Sequence, residues 1–326
     1  RLIDMIRDAD AQTLVLCLIS GGASALLVAP RDNLTLSDKQ QTTRLLLNAG
    51  ADIHELNTVR KHLSAVKGGR LAALADSSPV LSLILSDVIG DPLDVIASGP
   101  TAPDETTFSD AISVVHKYKL DGKIPVEVQR ILEEGKRGKI AETPKAGDPL
   151  FRNVRNIIIG NNQTALEAAL RKAETFGFET FLLSSEVRGE AQVVARALAQ
   201  KAIGLKKTKT EGKICLISGG ETTVTVRGDG LGGRNMEMAL AFAREIAGMD
   251  GITFLSAGTD GTDGPTDAAG AIVDGQTIGH AQTMGLSASI FLKRNDSYTF
   301  FKSTDELLKT GSTGTNVMDI QIILLT

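Results

Sequence analysis

Asp260, Asp263 and Asp267 stand close together in Ser256-Ala257-Gly258-Thr259-Asp260-Gly261-Thr262-Asp263-Gly264-Pro265-Thr266-Asp267, spaced by glycine and threonine after the apolar run Ile252 to Leu255. Carboxylates on such a backbone, with no apolar anchor, suit Mg²⁺, which takes one or two carboxylates and otherwise waters and phosphates. An Asp- and Gly-rich turn is the plainer alternative. A second acidic strand end, Leu85-Ser86-Asp87-Val88-Ile89-Gly90-Asp91-Pro92, offers Asp87 to accept a hydroxyl proton or to assist a metal, against a turn-stabilising role.

The cations fall in two places. Gly228-Asp229-Gly230-Leu231-Gly232-Gly233 satisfies G-x-G-x-x-G and leads into a helix near Arg234 and Asn235. The preceding Thr222 to Arg227 alternates Thr and Val like a half-exposed strand, whereas the first strand of a dinucleotide fold is nearly all apolar, so a dinucleotide site is disfavoured. The better reading is a flexible glycine loop that delivers Arg234 and Asn235 to a helix N-terminus, where a cation and free N–H groups hold phosphate or transition-state charge. Upstream, Glu55 to Leu63 and Lys67-Gly68-Gly69-Arg70 gather Arg60, Lys61, Lys67 and Arg70, which either clamp an anion or lie on a solvated helical face. His62 is the best placed of 4 His, but no His, Cys and carboxylate set has a zinc-ligand spacing.

The hexapeptide Cys-Leu-Ile-Ser-Gly-Gly occurs twice, at 17–22 and 215–220. Each copy reads as a strand running into a turn, and ligands bind at the carboxyl ends of strands in open α/β sheets. Gly21, Gly22, Gly219 and Gly220 would let backbone N–H groups approach an anion, while Ser20, Ser24, Ser218 and Thr222 supply hydroxyls. The alternative is a buried strand with a Gly-Gly turn, reached twice. With no Walker A sequence and no G-x-S-x-G elbow, P-loop kinases and α/β-hydrolases are disfavoured, and phosphoryl transfer to a small molecule is the chemistry these groups best suit.

Positioning these groups requires a parallel α/β scaffold. The runs Val80 to Leu85, Asn156 to Ile159, Thr180 to Leu183, Ile214 to Ile217 and Ile252 to Leu255 read as buried strands, alternating with helical patterns at Gln163 to Thr175, Glu190 to Ile203 and Asn235 to Ala247. At 326 residues two domains are expected, with the boundary in the charged, proline-spaced stretch Gly122 to Pro149, giving domains 1–150 and 151–326. Lys206 to Lys213 reads as a solvated loop. A net charge of -4 with scattered Lys and Arg argues against a nucleic-acid partner. No apolar run approaches the roughly eighteen residues of a membrane span, so a soluble, cytoplasmic protein is expected. Cys17 and Cys215, inside apolar runs, read as small core residues. The chain opens on Arg1 with a helix-like stretch before its first strand, and residues upstream of it are expected.

Ser20 to Leu27, Asn57 to Leu63, Lys67 to Ala72, Ser86 to Asp91, Gly219 to Val226, Gly232-Gly233-Arg234-Asn235, Asp263 to Gly270 and Thr310 to Val317 together resemble the MOFRL-type (class II) glycerate kinases, from end to end of the chain. The resemblance implies a truncated Rossmann-like N-terminal domain and a C-terminal domain containing the MOFRL module, about residues 211–320, with the active site in the cleft between them. It implies ATP- and Mg²⁺-dependent phosphorylation of D-glycerate, usually at the 2-hydroxyl; separately from it, a homodimer is an open expectation. On it, Arg234 is catalytic and its partner lysine falls outside this sequence. Beyond the resemblance, Asp87 is expected to orient or deprotonate the hydroxyl, Arg60 to hold the substrate carboxylate, and Asp260 and Asp263 to hold the metal or its waters. Ser20, Gly21, Gly22, Ser24, Gly219, Gly220, Glu221, Thr222, Asn235, Thr315 and Asn316 are expected to contact substrate or nucleotide. Met236, where the family usually has Gln, and Ser312, where Pro is common, are departures. An NAD(P)H-dependent hydroxypyruvate reductase, and a binding module without turnover, remain the rivals.

Overall fold

The computed structural model describes residues 1–31, 33–208 and 212–326. They form two compact units, Arg1–Ile159 and Gly160–Thr326.

The first unit contains α1 (Leu2–Arg7), β1 (Val15–Ile19), α2 (Ala23–Leu26), α3 (Leu36–Asn48), α4 (Ile53–His62), α5 (Arg70–Leu74), β2 (Val80–Leu85), α6 (Phe108–Lys117), α7 (Val126–Lys136) and β3 (Val154–Gly160). The strands make a sheet in the order β1-β2-β3, with β1 parallel to β2. Helices α3, α4 and α6 each begin with a capping box, Thr35 with Asp38, Asp52 with Glu55 and Thr107 with Asp110, so the helix starts were written locally. The charged stretch read as an inter-domain linker includes α7, whose Val128, Ile131 and Leu132 are buried with Leu46, Val59 and Phe108. Its Glu and Lys residues occupy the outer face of an amphipathic helix. In β1, Leu16 and Leu18 are exposed while Val15, Cys17 and Ile19 turn inward.

The second unit contains α8 (Asn162–Glu174), β4 (Glu179–Val187), α9 (Ala191–Thr208), β5 (Ile214–Gly220), α10 (Arg234–Glu245), β6 (Ile252–Gly258), β7 (Gly270–Asp274), α11 (Thr277–Thr283), α12 (Ala288–Arg294), α13 (Ser297–Thr304), β8 (Leu307–Leu308) and β9 (Asp319–Leu325). The sheet order is β4-β5-β9-β6-β7-β8. Only β4 and β5 pair in parallel; β9 lies antiparallel between β5 and β6, and β6–β7 and β7–β8 are antiparallel. The expected parallel sheet is therefore mixed in this unit, because the last strand returns into its middle. Lys206 and Lys207 belong to α9, and residues 209–211 of the expected Lys-rich loop lie outside the described residues. Helix α10 is buried from Asn235 through Ala243, and Phe242 stacks on Phe254 of β6 with centroids 4.0 Å apart. Its buried Glu237 is satisfied there by the side-chain amides of Gln192 and Asn295.

The two identical hexapeptides fold differently. The first leaves its strand after Ile19 and turns through Gly22 at φ 78°. The second stays in β5 through Gly220, because both flanking strands continue to pair with it: Val187 and Asp319 each face Gly220. Among the described strands β1 has one neighbour, so nothing holds Ser20 extended. Context, not the local sequence, decides the conformation.

Candidate active site

In the second unit, antiparallel pairing sets the first residue of β9 level with the last residues of its neighbours: Asp319 faces Gly220 of β5 and Gly258 of β6. Arg234, the first residue of α10, meets it there. Its Nε donates to Asp319 Oδ2 at 2.6 Å, its Nη2 to Asp319 Oδ1 at 3.0 Å, and its Nη1 to Glu221 Oε1 at 2.6 Å. Asp319 is buried and Arg234 is partly exposed, so the fork is clamped from behind while its tip reaches outward. Burial alone would lower the Arg234 pKa, but the Asp319 bonds and charge outweigh it and hold the guanidinium well above its ordinary value.

The glycine run before Arg234 is held by side-chain hydrogen bonds and close packing. Asn295 Oδ1 accepts from the Arg227 and Gly228 N–H groups at 2.8 and 3.0 Å, and Asp296 Oδ1 from Leu231 N–H at 3.0 Å. A Cβ at Gly228 would lie 2.2 Å from the Arg294 carbonyl oxygen, and one at Gly230 2.3 Å from Asp296 Cβ. These glycines permit close packing against 294–297, and the expected strand at Thr222 to Arg227 is absent, leaving one bridge at Thr223 to Glu190. The expected delivery of Arg234 and Asn235 to a helix start does occur.

Asp263, expected as a metal ligand, is used otherwise. Its Oδ1 accepts from the Asn235 N–H at 3.1 Å and its Oδ2 from the Met236 N–H at 2.8 Å, so it caps α10 from another loop, where a carboxylate interacts favourably with the helix dipole. A Cβ on the N-cap residue Gly233 would lie 2.3 Å from Asp263 Cγ, which explains the glycine there. Burial pushes the Asp263 carboxyl up to about 6, with the two N–H bonds and Arg234 pulling the other way. Asp260 remains half-buried, with Oδ1 accepting from Thr262 N–H at 2.9 Å. No three His, Cys, Asp or Glu among the described residues converge as a ligand set. Both oxygens of Asp263 are engaged by the start of α10, whereas Asp260 can offer an oxygen to a cation that brings its other ligands.

Thr313 ties the 310–317 loop to this edge, its N–H on the Asp260 carbonyl at 3.2 Å and its hydroxyl on the Thr259 carbonyl at 2.6 Å, bringing Thr315 and Asn316 nearby. Asn316 Oδ1 accepts from Met318 N–H at 3.0 Å. Asn235 Oδ1 accepts from the Ser256 hydroxyl at 2.7 Å and is buried, so its side chain serves packing. Thr222 is buried with its hydroxyl unpartnered, and Gly219 is pressed against Asn162, whose Oδ1 would be 2.2 Å from a Cβ there.

In the first unit, Ser20 to Gly22 and Asp87 follow the carboxyl ends of parallel β1 and β2. Asp87 is half-buried, and burial raises its pKa. Ser24 bonds the Ser98 hydroxyl at 2.8 Å, and its carbonyl accepts from Arg60 Nη2 at 3.0 Å and Lys67 Nζ at 2.8 Å. Lys61 and Lys67 are 2% and 1% exposed, which rules out the solvated face. His62 is buried between the Thr58 carbonyl at 2.7 Å and Glu142 at 3.1 Å, a structural position. Cys17 and Cys215 are free thiols, half-buried and buried.

Residues 1–133 match a family model described as a domain of unknown function (DUF4147), and residues 214–319 match the MOFRL family. The chain is 43% identical over 327 residues to a D-glycerate 2-kinase of Thermotoga maritima, covering 100% of this chain and 75% of that protein. The chain belongs to the glycerate kinase family. It is also 42% identical to a glycerate 2-kinase of Pyrococcus horikoshii, covering 99% of this chain and 73% of that protein. Its fold matches the crystal structure of the Thermotoga maritima glycerate kinase with a TM-score of 0.91 over 100% of this chain and 76% of that one. The family resemblance carried by the motifs is thus borne out, as is the α/β fold class. Sequence reasoning missed Asp319, which follows directly on the Thr310 to Val317 motif and opens an apolar run, Ile320 to Leu325, that could have been read as a strand.

Proposed function

We propose that this chain is an ATP-dependent glycerate kinase that phosphorylates the 2-hydroxyl of D-glycerate. The observation that carries the reading is the Arg234 fork, clamped by Asp319 and Glu221, in a chain this similar to glycerate kinases. In phosphoryl transfer the protein chiefly positions groups and stabilises charge. A guanidinium has five N–H donors, and three are held by the two carboxylates, leaving two to meet the equatorial oxygens of the transferring group. Because the clamp is formed beforehand, little reorganisation is needed as charge develops. Asp87, its pKa raised by burial, is proposed to orient or deprotonate the hydroxyl, and Arg60 to take the carboxylate of the acid. Mg²⁺ would arrive with ATP, neutralising phosphate charge, with Asp260 as its protein contact.

The tests are ADP release dependent on D-glycerate, and the phosphorus NMR spectrum of the product, which separates 2- from 3-phosphoglycerate. Oxidation of NADH with hydroxypyruvate, in place of ADP release, would favour the reductase. The pinned glycine run argues against that outcome, since its backbone is already packed against 294–297.

A further inference from the structure

We propose that Lys39, Arg60 and Lys67 form an oxyanion cradle in the first unit whose counter-charge arrives with a ligand, either the carboxylate of the hydroxy acid or a phosphoryl group of the nucleotide. The choice of ligand rests on the kinase reading; the cradle itself does not.

Buried ammonium groups are ordinarily paired, because an uncompensated charge in a poorly solvated place is costly. Lys61 follows that rule, with Asp94 at 3.1 Å and Asp104 at 3.3 Å. Lys67, six positions on and equally buried, does not: its Nζ reaches only neutral oxygens, the Ser24 carbonyl at 2.8 Å, the Ala97 carbonyl at 3.2 Å and the Ser24 hydroxyl at 3.4 Å. Arg60 donates to the same Ser24 carbonyl at 3.0 Å, so two cations converge on one neutral atom. Lys39 of α3 is 7% exposed, and its Nζ has no hydrogen-bond partner among the described residues. None of the three has a carboxylate within ion-pair distance among the described residues.

The repulsion is mutual. Burial first, and then the charges of Arg60 and Lys39, bring the Lys67 ammonium down to about 7; burial and Arg60 bring Lys39 to about 8. The backbone opposite is also under tension: Ala97 and Ser98 hold φ of 54° and 63°, in the left-handed region, where they set the Ala97 carbonyl on Lys67 and the Ser98 hydroxyl against Ser24 and Asn57. Strained backbone on Lys67, beside two further cations that have no carboxylate partner among the described residues, is the arrangement of a binding site, which an anion would relieve.

The experiment is calorimetric titration of D-glycerate, and separately of ATP, into the full chain and its Lys39→Met and Lys67→Met variants, with thermal midpoints recorded without ligand. Removing an uncompensated buried charge should leave the midpoint equal or higher, while affinity for one of the ligands falls about tenfold or more. Loss for D-glycerate assigns the carboxylate; loss for ATP assigns the phosphoryl group. Unchanged affinity for both ligands overturns the cradle, as does a lowered midpoint with affinities intact. If the parent chain binds neither, the kinase reading fails on its own, and inorganic phosphate then tests the cradle: it should raise the midpoint of the parent chain but not that of Lys67→Met, and no such rise overturns it.

Discussion

Replacing Asp319 by Asn keeps its shape and removes only the charge that clamps Arg234. Of the two bonds across that pair, at 2.6 and 3.0 Å, the amide oxygen can accept one, while its NH₂ must face the other guanidinium N–H. One charge-assisted hydrogen bond is lost, worth about 1.5–3 kcal/mol. If that energy serves to hold the fork for the transition state, kcat falls by roughly 10- to 150-fold, at about 1.4 kcal/mol per decade. KM for ATP and for D-glycerate should change much less, since the bond acts on orientation and not on ground-state binding. Steady-state ADP release measures both. Arg234→Ala, which removes the donor itself, should lose on the order of 10²–10³ in kcat. The decisive comparison is the double variant: with Asp319 acting only through Arg234, adding Asp319→Asn to Arg234→Ala should cost nothing further. Full additivity of the two losses, or a kcat within threefold of the parent in Asp319→Asn, would refute the clamp.

Asp263 is held up at about 6 mainly by burial, above its unfolded value of about 4, so the folded chain binds this proton more tightly than the unfolded one. Its contribution is most favourable below about pH 4 and falls by about 3 kcal/mol as pH rises to about 6. Relative to Asp263→Asn, whose amide forfeits one cap acceptor at any pH, the parent should therefore lose stability across that window, read from urea midpoints; a pH-independent difference rejects the assignment. Gly233→Ala places a Cβ 2.3 Å from Asp263 Cγ and should destabilise the second unit by about 1–3 kcal/mol, with kcat falling as the start of α10 shifts; an unchanged denaturation midpoint would show that the loop can yield. Lys61→Met strands the buried Asp104 carboxylate and should destabilise the first unit by about 3–5 kcal/mol, opposite in sign to Lys67→Met, and equal thermal midpoints for the two variants would sink the distinction drawn between these lysines.

What could be read from the chain was whatever is local. Capping boxes, apolar runs and the helix start at Arg234 are written within a few residues, and the structure has them. The partner of Arg234 is not local: Asp319 lies 85 positions away and reaches it only because β9 enters the sheet antiparallel between β5 and β6, in a register that sets it against Gly220 and Gly258. No periodicity in Ile320 to Leu325 encodes which strands it joins, because a buried strand of either direction shows the same apolar run. Asp263 misled for the same reason. Beside Asp260 in a glycine-rich segment it has the look of a metal ligand, and only the packing of a distant helix start against it makes it a cap.

The lysines show the reverse error. In the sequence a solvated face explains Lys61 and Lys67 almost as well as an anion clamp does, because lysine is seldom fully buried, a rule that holds when nothing compensates the charge. At Lys61 the compensation is internal, from Asp94 and Asp104. At Lys67 no carboxylate among the described residues supplies it, and the buried charge stays where a hydrophobic residue would be more stable. Sequence alone cannot separate these two cases, since the discriminating fact is the identity of the oxygen atoms around each ammonium. Once those oxygens are known, the pair that looked equivalent divides into one lysine that stabilises the fold and one that the fold tolerates, and the tolerated one marks where a ligand belongs.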